Sequence, residues 1–473
     1  MSGLGFKCNT VHRKIQIMTG VSKQPQGALK EFLKTSLPAV VDLSSQPLVW
    51  LYEAFLISQV SIAALGGVGL AFQFIIVTFT AVLTFVIGSS LIINRHLGRG
   101  DSWAANHILG QSMMLGIGLA CVIGFIWYAG APVFFRIINE SEPIGTVSGI
   151  QSGIQYLRTI AYFAPIIIVC FIALGIIRGS GDTHFALIIN LVIIGINVFL
   201  APFLIFGPWF SGREVVGLAL AKGIAFSVGL LLTAILLRSR KCRLFLSMRE
   251  MTTPKWESVK LLFKTGFPTT VEHLTQSSGL LVVSLYIARL SVVALATHQI
   301  LLLLQAVMSM FYQGLGVSSM TIIGKNVGAE EHRRAERTAK VAGLVTLLIV
   351  LIIVLLICYF SSAILRAFTD DQDVLDLGKN VIIIFAVIQI PKALNAVLSG
   401  NLRGAGELKW LMWLTITVVL IFEVSASWAI VFLFLEYQFK LAGIWLMNGC
   451  DEAARSLFNY VRFRNGKWKF KNA

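Results

Sequence analysis

Two carboxylates and an amide, Asp42, Gln46 and Glu53, stand inside a stretch of the chain that is otherwise mostly apolar, residues 37–60. On an ideal helix of about 3.6 residues per turn their directions fall within about 40° of one another, so they form a single polar stripe. An ionised carboxylate at the centre of a bilayer costs at least about 2.5–3.5 kcal/mol on insertion scales, which makes an acid in such a place a functional candidate. It avoids that cost in one of two ways. It takes a proton, or it stays ionised beside a cation such as Na⁺ that nearby carbonyl and amide oxygens also hold. The competing reading places Asp42 near the membrane interface, capping the helix that follows Pro38, whereas Glu53 lies deeper. Pro47 interrupts the stripe, lacks an amide hydrogen and is the expected kink or hinge.

The stripe is written twice. "LKTSLPAVVDLSSQ" (33–46) is matched by "FKTGFPTTVEHLTQ" (263–276) at an offset of 230, which sets Glu272 against Asp42 and Gln276 against Gln46. Glu53 falls on Val283 and has no acidic counterpart. The match continues through Ser89 and Ser319, Ile92 and Ile322, and Gly98 and Gly328. Then, at an offset of 225, "IIRGSGDT" (176–183) meets "NLRGAGEL" (401–408). That second match pairs Arg178 with Arg403 and Asp182 with Glu407. The glycines Gly179, Gly181, Gly404 and Gly406 stand at the ends of spans, where glycine permits a left-handed exit and close helix approach. Arg178 and Arg403 are expected to snorkel or to pair with carboxylates there, a structural and gating role more than ligand contact.

The elements that must position these groups are membrane helices. The chain has 473 residues, of which 56% are hydrophobic and 13% charged, and a mean hydropathy of +0.80. Apolar stretches long enough to cross a bilayer are expected at 37–60, 65–94, 104–134, 149–177, 184–206, 215–237, 259–288, 293–324, 338–364, 377–402, 408–435 and 441–462. The fold class is therefore an all-α polytopic membrane protein of twelve transmembrane helices. Six spans per copy is an even number, so the copies enter from the same side and form parallel-repeat six-helix lobes around a central cavity. The expected organisation is a tail over 1–36, an N-lobe over 37–237, a basic interlobe linker over 238–258, a C-lobe over 259–463 and a second tail over 464–473. The first 36 residues carry Lys and Arg without an apolar core, unlike a secretory signal.

Basic residues crowd the even-numbered junctions, Arg238 to Lys264 and Lys325 to Lys340, whereas 366–379 is dominated by Asp370, Asp371, Asp373 and Asp376. Basic loops stay cytoplasmic during insertion, so both termini are expected inside. Anionic membrane lipid is a sufficient partner for the formal charge of +16, and nucleic acid is not invoked. Cys8, Cys121, Cys170, Cys242, Cys358 and Cys450 show no paired spacing that suggests a metal or redox site. Neither HExxH nor GxSxG occurs, so no enzyme activity, metal or cofactor is expected.

Five segments together resemble one family. "RGSGDT" and "RGAGEL" resemble the paired RGxGDT signatures of multidrug and toxic compound extrusion (MATE) transporters. "IIGKNVGAEEHRRAERTA" (322–339), "GFPTTVEHLTQSSG" (266–279) and "DEAARSLFNYVRFRNGKW" (451–468) resemble that family's segments at the corresponding spans. The resemblance runs over roughly residues 30 to 469. It implies a monomeric secondary antiporter, in a bacterial inner membrane, that exports amphipathic cationic small molecules in exchange for H⁺ or Na⁺ by rocking its lobes. It also places Glu53 where the family has a first-span acid, usually Asp. In the fifth span it places Asn197 in an NxxxDP-like pattern, with Ala201 at the acid position. Glu407 replaces the second signature's usual Asp.

Lys222 and Lys392 stand where the family pattern is uncharged, and are read as neutralising Glu423 or another acid, or as altering cargo charge preference. Asp451 and Arg455, four residues apart, are expected to pair on one helix face. The alternative function is export or flipping of a metabolite or lipid-linked cargo, which a basic cavity would favour. A static scaffold with parallel repeats would tolerate Glu53→Gln and Glu272→Gln.

Overall fold

The structure is a computed structural model that describes residues 27–141, 147–208, 214–239, 241–246, 255–369, 371–434 and 437–470. Its elements among those residues are helices: α1 Ala28–Ser58, α2 Ile62–Gly98, α3 Ser102–Ser141, α4 Val147–Gly179, α5 Thr183–Phe206 and α6 Glu214–Arg238 in the first half. The second half has α7 Trp256–Ala288, α8 Val292–Gly328, α9 His332–Tyr359, α10 Gln372–Ala405, α11 beginning at Leu408–Val418, and α12 Tyr437–Arg464.

Nine of the described helices are long and apolar enough to cross a membrane by length and composition. The remaining three long helices are α1, α7 and α12. These carry the buried acids Asp42 and Glu53, Glu272, and Asp451 and Glu452 respectively. Polar residues dilute these helices because their inward faces line polar sites.

The helices outrun the apolar spans. α1 begins at Ala28 rather than at 37, because Phe32 is fully buried while Glu31 reaches Arg334 of α9 at 2.8 Å. α7 begins at Trp256, inside the stretch expected to be linker. After α12 the chain turns back so that Trp468 stacks on Phe463, and Lys469 pairs with Glu336.

Packing follows the duplication. α2 packs on α4 as α8 packs on α10; α4 packs on α6 as α10 packs on α12; α1 packs on α5 as α7 packs on α11. One apolar core sits among α2 to α6 around Trp127, Tyr156 and Leu157, and a second among α7 to α12 around Phe385, Ile382 and Trp445. Outward faces show large apolar side chains such as Phe125, Phe199, Leu348 and Leu355, as lipid contact requires. Local signals repeat as well. Ser61 caps α2 by accepting from the Ala64 amide, and Ser291 caps α8 by accepting from the Ala294 amide.

Between the halves, α1 packs on α8, α7 on α2, and α2 on α8, contacts that an exchange of the two repeats maps onto one another. The hydrogen bonds described across this seam lie at the end that carries the basic loops. Thr321 Oγ1 donates to the Gly179 carbonyl at 2.9 Å, and Arg95 Nη2 donates to the Ala405 carbonyl at 3.2 Å.

Candidate functional site

Asp42 is 0% exposed, and its Oδ2 accepts from Arg178 Nε and Nη2, both at 2.6 Å. The stripe above it faces α5. Gln46 Nε2 donates to Asn190 Oδ1 at 3.0 Å, and Asn190 Nδ2 donates to the Asp42 carbonyl and to Ser45 Oγ, both at 3.3 Å. α1 continues through both Pro38 and Pro47, and Pro47 is buried.

Further along α1, Glu53 is 3% exposed and has both oxygens engaged. Asn197 Nδ2 of α5 donates to Oε1 at 2.7 Å, and Lys222 Nζ of α6 donates to Oε2 at 2.7 Å. The Lys222 ammonium also sits 4.9 Å from the centre of the Phe72 ring, a cation–π contact. Lys222 is thus matched to Glu53, not to Glu423.

The C-lobe repeats the first of these pairs: Arg403 Nη2 donates to Glu272 Oε1 at 2.8 Å. Gln276, half-buried one turn on, is joined neither to that pair nor to the C-lobe cluster around Lys392. The acids after the glycine turns are likewise matched. Asp182 accepts from the Arg243 backbone amide at 2.8 Å, with the Arg243 guanidinium at 3.6 Å, while Glu407 pairs with Arg462 at 2.9 Å. Gly181 and Gly406 have φ of 88° and 84°, the left-handed conformation that glycine adopts without strain. Gly179 and Gly404 serve the close approach instead: a Cβ on either would collide, with Ser90 and with the Met320 carbonyl respectively. In the stretch after α6, burial and then the Asp182 carboxylate push the Cys242 thiol up to about 12, which makes it a poor nucleophile at neutral pH.

A second buried cluster joins α10, α11 and α12. Lys392 Nζ donates to Asn448 Oδ1 at 3.0 Å and lies 3.8 Å from Glu452 Oε1. Arg455 pairs with Asp451 and, at 3.2 Å, with Glu452. Asn448 Nδ2 donates to Glu423 Oε1 at 2.9 Å, and Asn395 Nδ2 donates to Glu452 Oε2 at 2.7 Å. Three carboxylates here face two cations, so the cluster is one positive charge short. The shortfall falls on Glu423, which has no ion pair among the described residues, and its Oε2, like Asp451 Oδ1 beside it, is buried without a hydrogen-bond partner. Glu423 is aimed by a local departure from α geometry, because α11 widens into a π-helix over Val419–Ala426, a feature often found at functional sites. Among the described residues no group of three or more His, Cys, Asp or Glu is arranged to hold a metal ion.

Sequence comparison also finds two blocks in this chain. The family profile described as MatE matches residues 38–203 and 268–428, one block in each half. The chain belongs to the MatE family. It is 26% identical over 444 residues to a probable multidrug resistance protein NorM of Thermotoga maritima, with 93% of each chain covered. It is 22% identical to the uncharacterized transporter YisQ of Bacillus subtilis, covering 94% of this chain and 96% of that one. Among solved structures, a transporter of the MOP superfamily from Pyrococcus furiosus superposes with a TM-score of 0.85 at 21% identity, covering 94% of this chain and 97% of that chain. A MATE crystallised in the straight conformation gives the same TM-score and identity, over 94% and 98%. The fold is the MATE fold, the MatE chain is a membrane transporter, and the resemblance read from the five motifs is correct.

Sequence reasoning grouped Asp42, Gln46 and Glu53 correctly on one face and paired Asp451 with Arg455. It did not find the Lys222 partnership, 169 residues from Glu53, or the joining of Glu423 to α12. The available signal was the presence of Lys222 and Lys392 in apolar spans, where each must find an acid.

Proposed function

We propose that this MatE transporter is a secondary active antiporter that exports amphipathic cationic organic compounds in exchange for H⁺ or Na⁺. The observation that carries this reading is the α10–α12 cluster, one cation short, with unpartnered oxygens on Glu423 and Asp451. A buried surplus carboxylate is costly unless a cation neutralises it. A proton on either acid, or Na⁺ between them, supplies the missing charge, and a cationic cargo competes for the same negative field. Ion and cargo thus exclude one another at this site, and either one, by neutralising the surplus charge, lowers the cost of rocking the lobes as whole bodies between two access states.

The basic loops support a cytoplasmic side for the end that carries them. With them in the cytoplasm, the hydrogen-bonded seam is the closed cytoplasmic gate and the protein faces outward. Relatives named as probable multidrug resistance proteins support an organic cargo, and a bacterial inner membrane is our reading of where the protein works. On this reading the working unit is a monomer without a resident cofactor. The metabolite or lipid-linked alternative asks for a basic cavity, but Lys222 and Lys392 are both matched to carboxylates.

The test uses purified protein in liposomes with an imposed pH or Na⁺ gradient and a fluorescent organic cation. One of the two gradients drives accumulation in the wild type, and Glu423→Gln or Asp451→Asn abolishes that dependence. Transport indifferent to both gradients, or coupling that survives both substitutions, refutes the reading.

A further inference from the structure

We infer that Lys222 is a tethered counter-ion that permanently fills the N-lobe cation position at Glu53, so that this lobe takes no exchangeable ion during transport. The inference rests on the antiport reading only for its transport arm.

Each oxygen of Glu53 already has a short partner, Asn197 on one and the Lys222 ammonium on the other. Lys222 is 8% exposed, sits against the Phe72 ring and lies beside the Tyr156 hydroxyl. Oxygen donors on one side and an aromatic face on another form the kind of environment in which a small cation rests. Here a side chain of α6 provides that cation. A tethered ammonium has a much higher effective concentration than a dissolved ion, so H⁺ or Na⁺ does not displace it.

The inventory of the lobe agrees. Its buried membrane acids are balanced internally, Asp42 by Arg178 and Glu53 by Lys222, whereas the C-lobe cluster is short by one charge. The two lobes therefore do different work: one holds a fixed cation and the other exchanges a mobile one. The tether also joins α1 to α6, while Asn197 joins α1 to α5, so the three helices move together. Removing the ammonium while keeping the chain length leaves a vacated space beside the Glu53 carboxylate and the Tyr156 hydroxyl, with Asn197 still held on the other Glu53 oxygen. That space has the donors for Na⁺ or a proton.

The experiment compares wild type, Lys222→Met and the charge-neutral double variant Glu53→Gln with Lys222→Met. Thermal melting of the full chain in detergent is followed against added NaCl, with choline chloride as the ionic-strength control, and against pH. The expected result is that Lys222→Met gains a Na⁺- or proton-dependent rise in melting temperature beyond that of the wild type, and that adding Glu53→Gln removes the gain. No gain in Lys222→Met, or a gain that persists without Glu53, overturns the inference. This arm reads the N-lobe whether or not the wild type proves to be an antiporter. In liposomes, the double variant keeps the wild-type ratio of cations to cargo, and this remains measurable if Lys222→Met alone does not fold. Loss of ion coupling in the double variant overturns the inference too, because it would mean that Glu53 carries the exchanged ion.

Discussion

At the scale of residues, the structure converts lone charges into pairs, and a pair is tested by breaking it and by removing it whole. Glu272 is buried and its partner Arg403 partly so. Arg403→Ala strands a buried carboxylate and is expected to cost about 3–5 kcal/mol, whereas Glu272→Gln with Arg403→Met recovers most of that loss. Chemical unfolding followed by tryptophan fluorescence checks the order, and equal losses in the two proteins contradict it. The pairs themselves were only half legible. The 230 offset put Asp42 and Glu272 in equivalent places, and the glycine signatures did the same for Arg178 and Arg403. No pattern in a single chain, however, says that two side chains more than a hundred residues apart touch. Cys242 allows a simpler check. Its thiol is raised to about 12 by burial and by Asp182, so at neutral pH it is almost wholly protonated. Maleimide labelling of Cys242, read by peptide mass after lowering the other thiols' contribution with serine substitutions, should be slow at pH 7. It should rise about tenfold per pH unit up to pH 9. A pH-independent rate shows that access, not ionisation, controls the reaction.

At the scale of elements, helix periodicity was readable because apolar residues recur over spans longer than a bilayer needs. The helix ends were less readable, since α1, α7 and α12 use charged residues in turns that pack against protein. The widened π segment of α11 left no mark in the sequence, because Val419–Ala426 is as apolar as its surroundings apart from Glu423. The sequence therefore set Glu423 against Lys222 or Lys392, whereas the altered register brings it to Asn448 of α12. The turns after α4 and α10 were legible for a physical reason, their demand for a left-handed residue. Gly406 has φ of 84°, and a Cβ added there would run into the Arg95 guanidinium. Gly406→Ala is therefore expected to cost about 1–2 kcal/mol in backbone strain alone. Gly406→Asn, which tolerates this conformation better, should have the smaller backbone cost. Melting temperatures of the two variants give the comparison, and a more stable alanine variant would show that the turn has relaxed out of the left-handed region.

At the scale of the whole molecule, the sequence showed two lobes but not how they meet. Repeats reveal themselves by similarity, while a seam joins unlike surfaces: α1 lies on α8, and α2 on α7. Its tightest place is where α2 and α8 cross, because a Cβ on Gly98 would collide with the Lys325 carbonyl and one on Gly328 with the Arg95 backbone. These are the repeat-related glycines of the 230 offset, so the seam is built there from two copies of one small-residue contact. A bulky residue at this crossing acts only on the state in which the basic ends touch, and a population shifts by the difference in free energy between states. Gly98→Leu should therefore favour the state in which the seam is parted, without altering either ion-pair cluster. Thr321, 1% exposed and bonded across the seam to the Gly179 carbonyl, reports on that opening. In a background whose native cysteines are replaced, Thr321→Cys should label slowly with a membrane-impermeant maleimide. Adding Gly98→Leu should speed labelling from the basic side several-fold, and transport should slow because the molecule is held toward one state. Unchanged labelling together with unchanged transport means that the α2–α8 crossing does not part during the cycle, and the moving surface then has to be sought along α1 and α7.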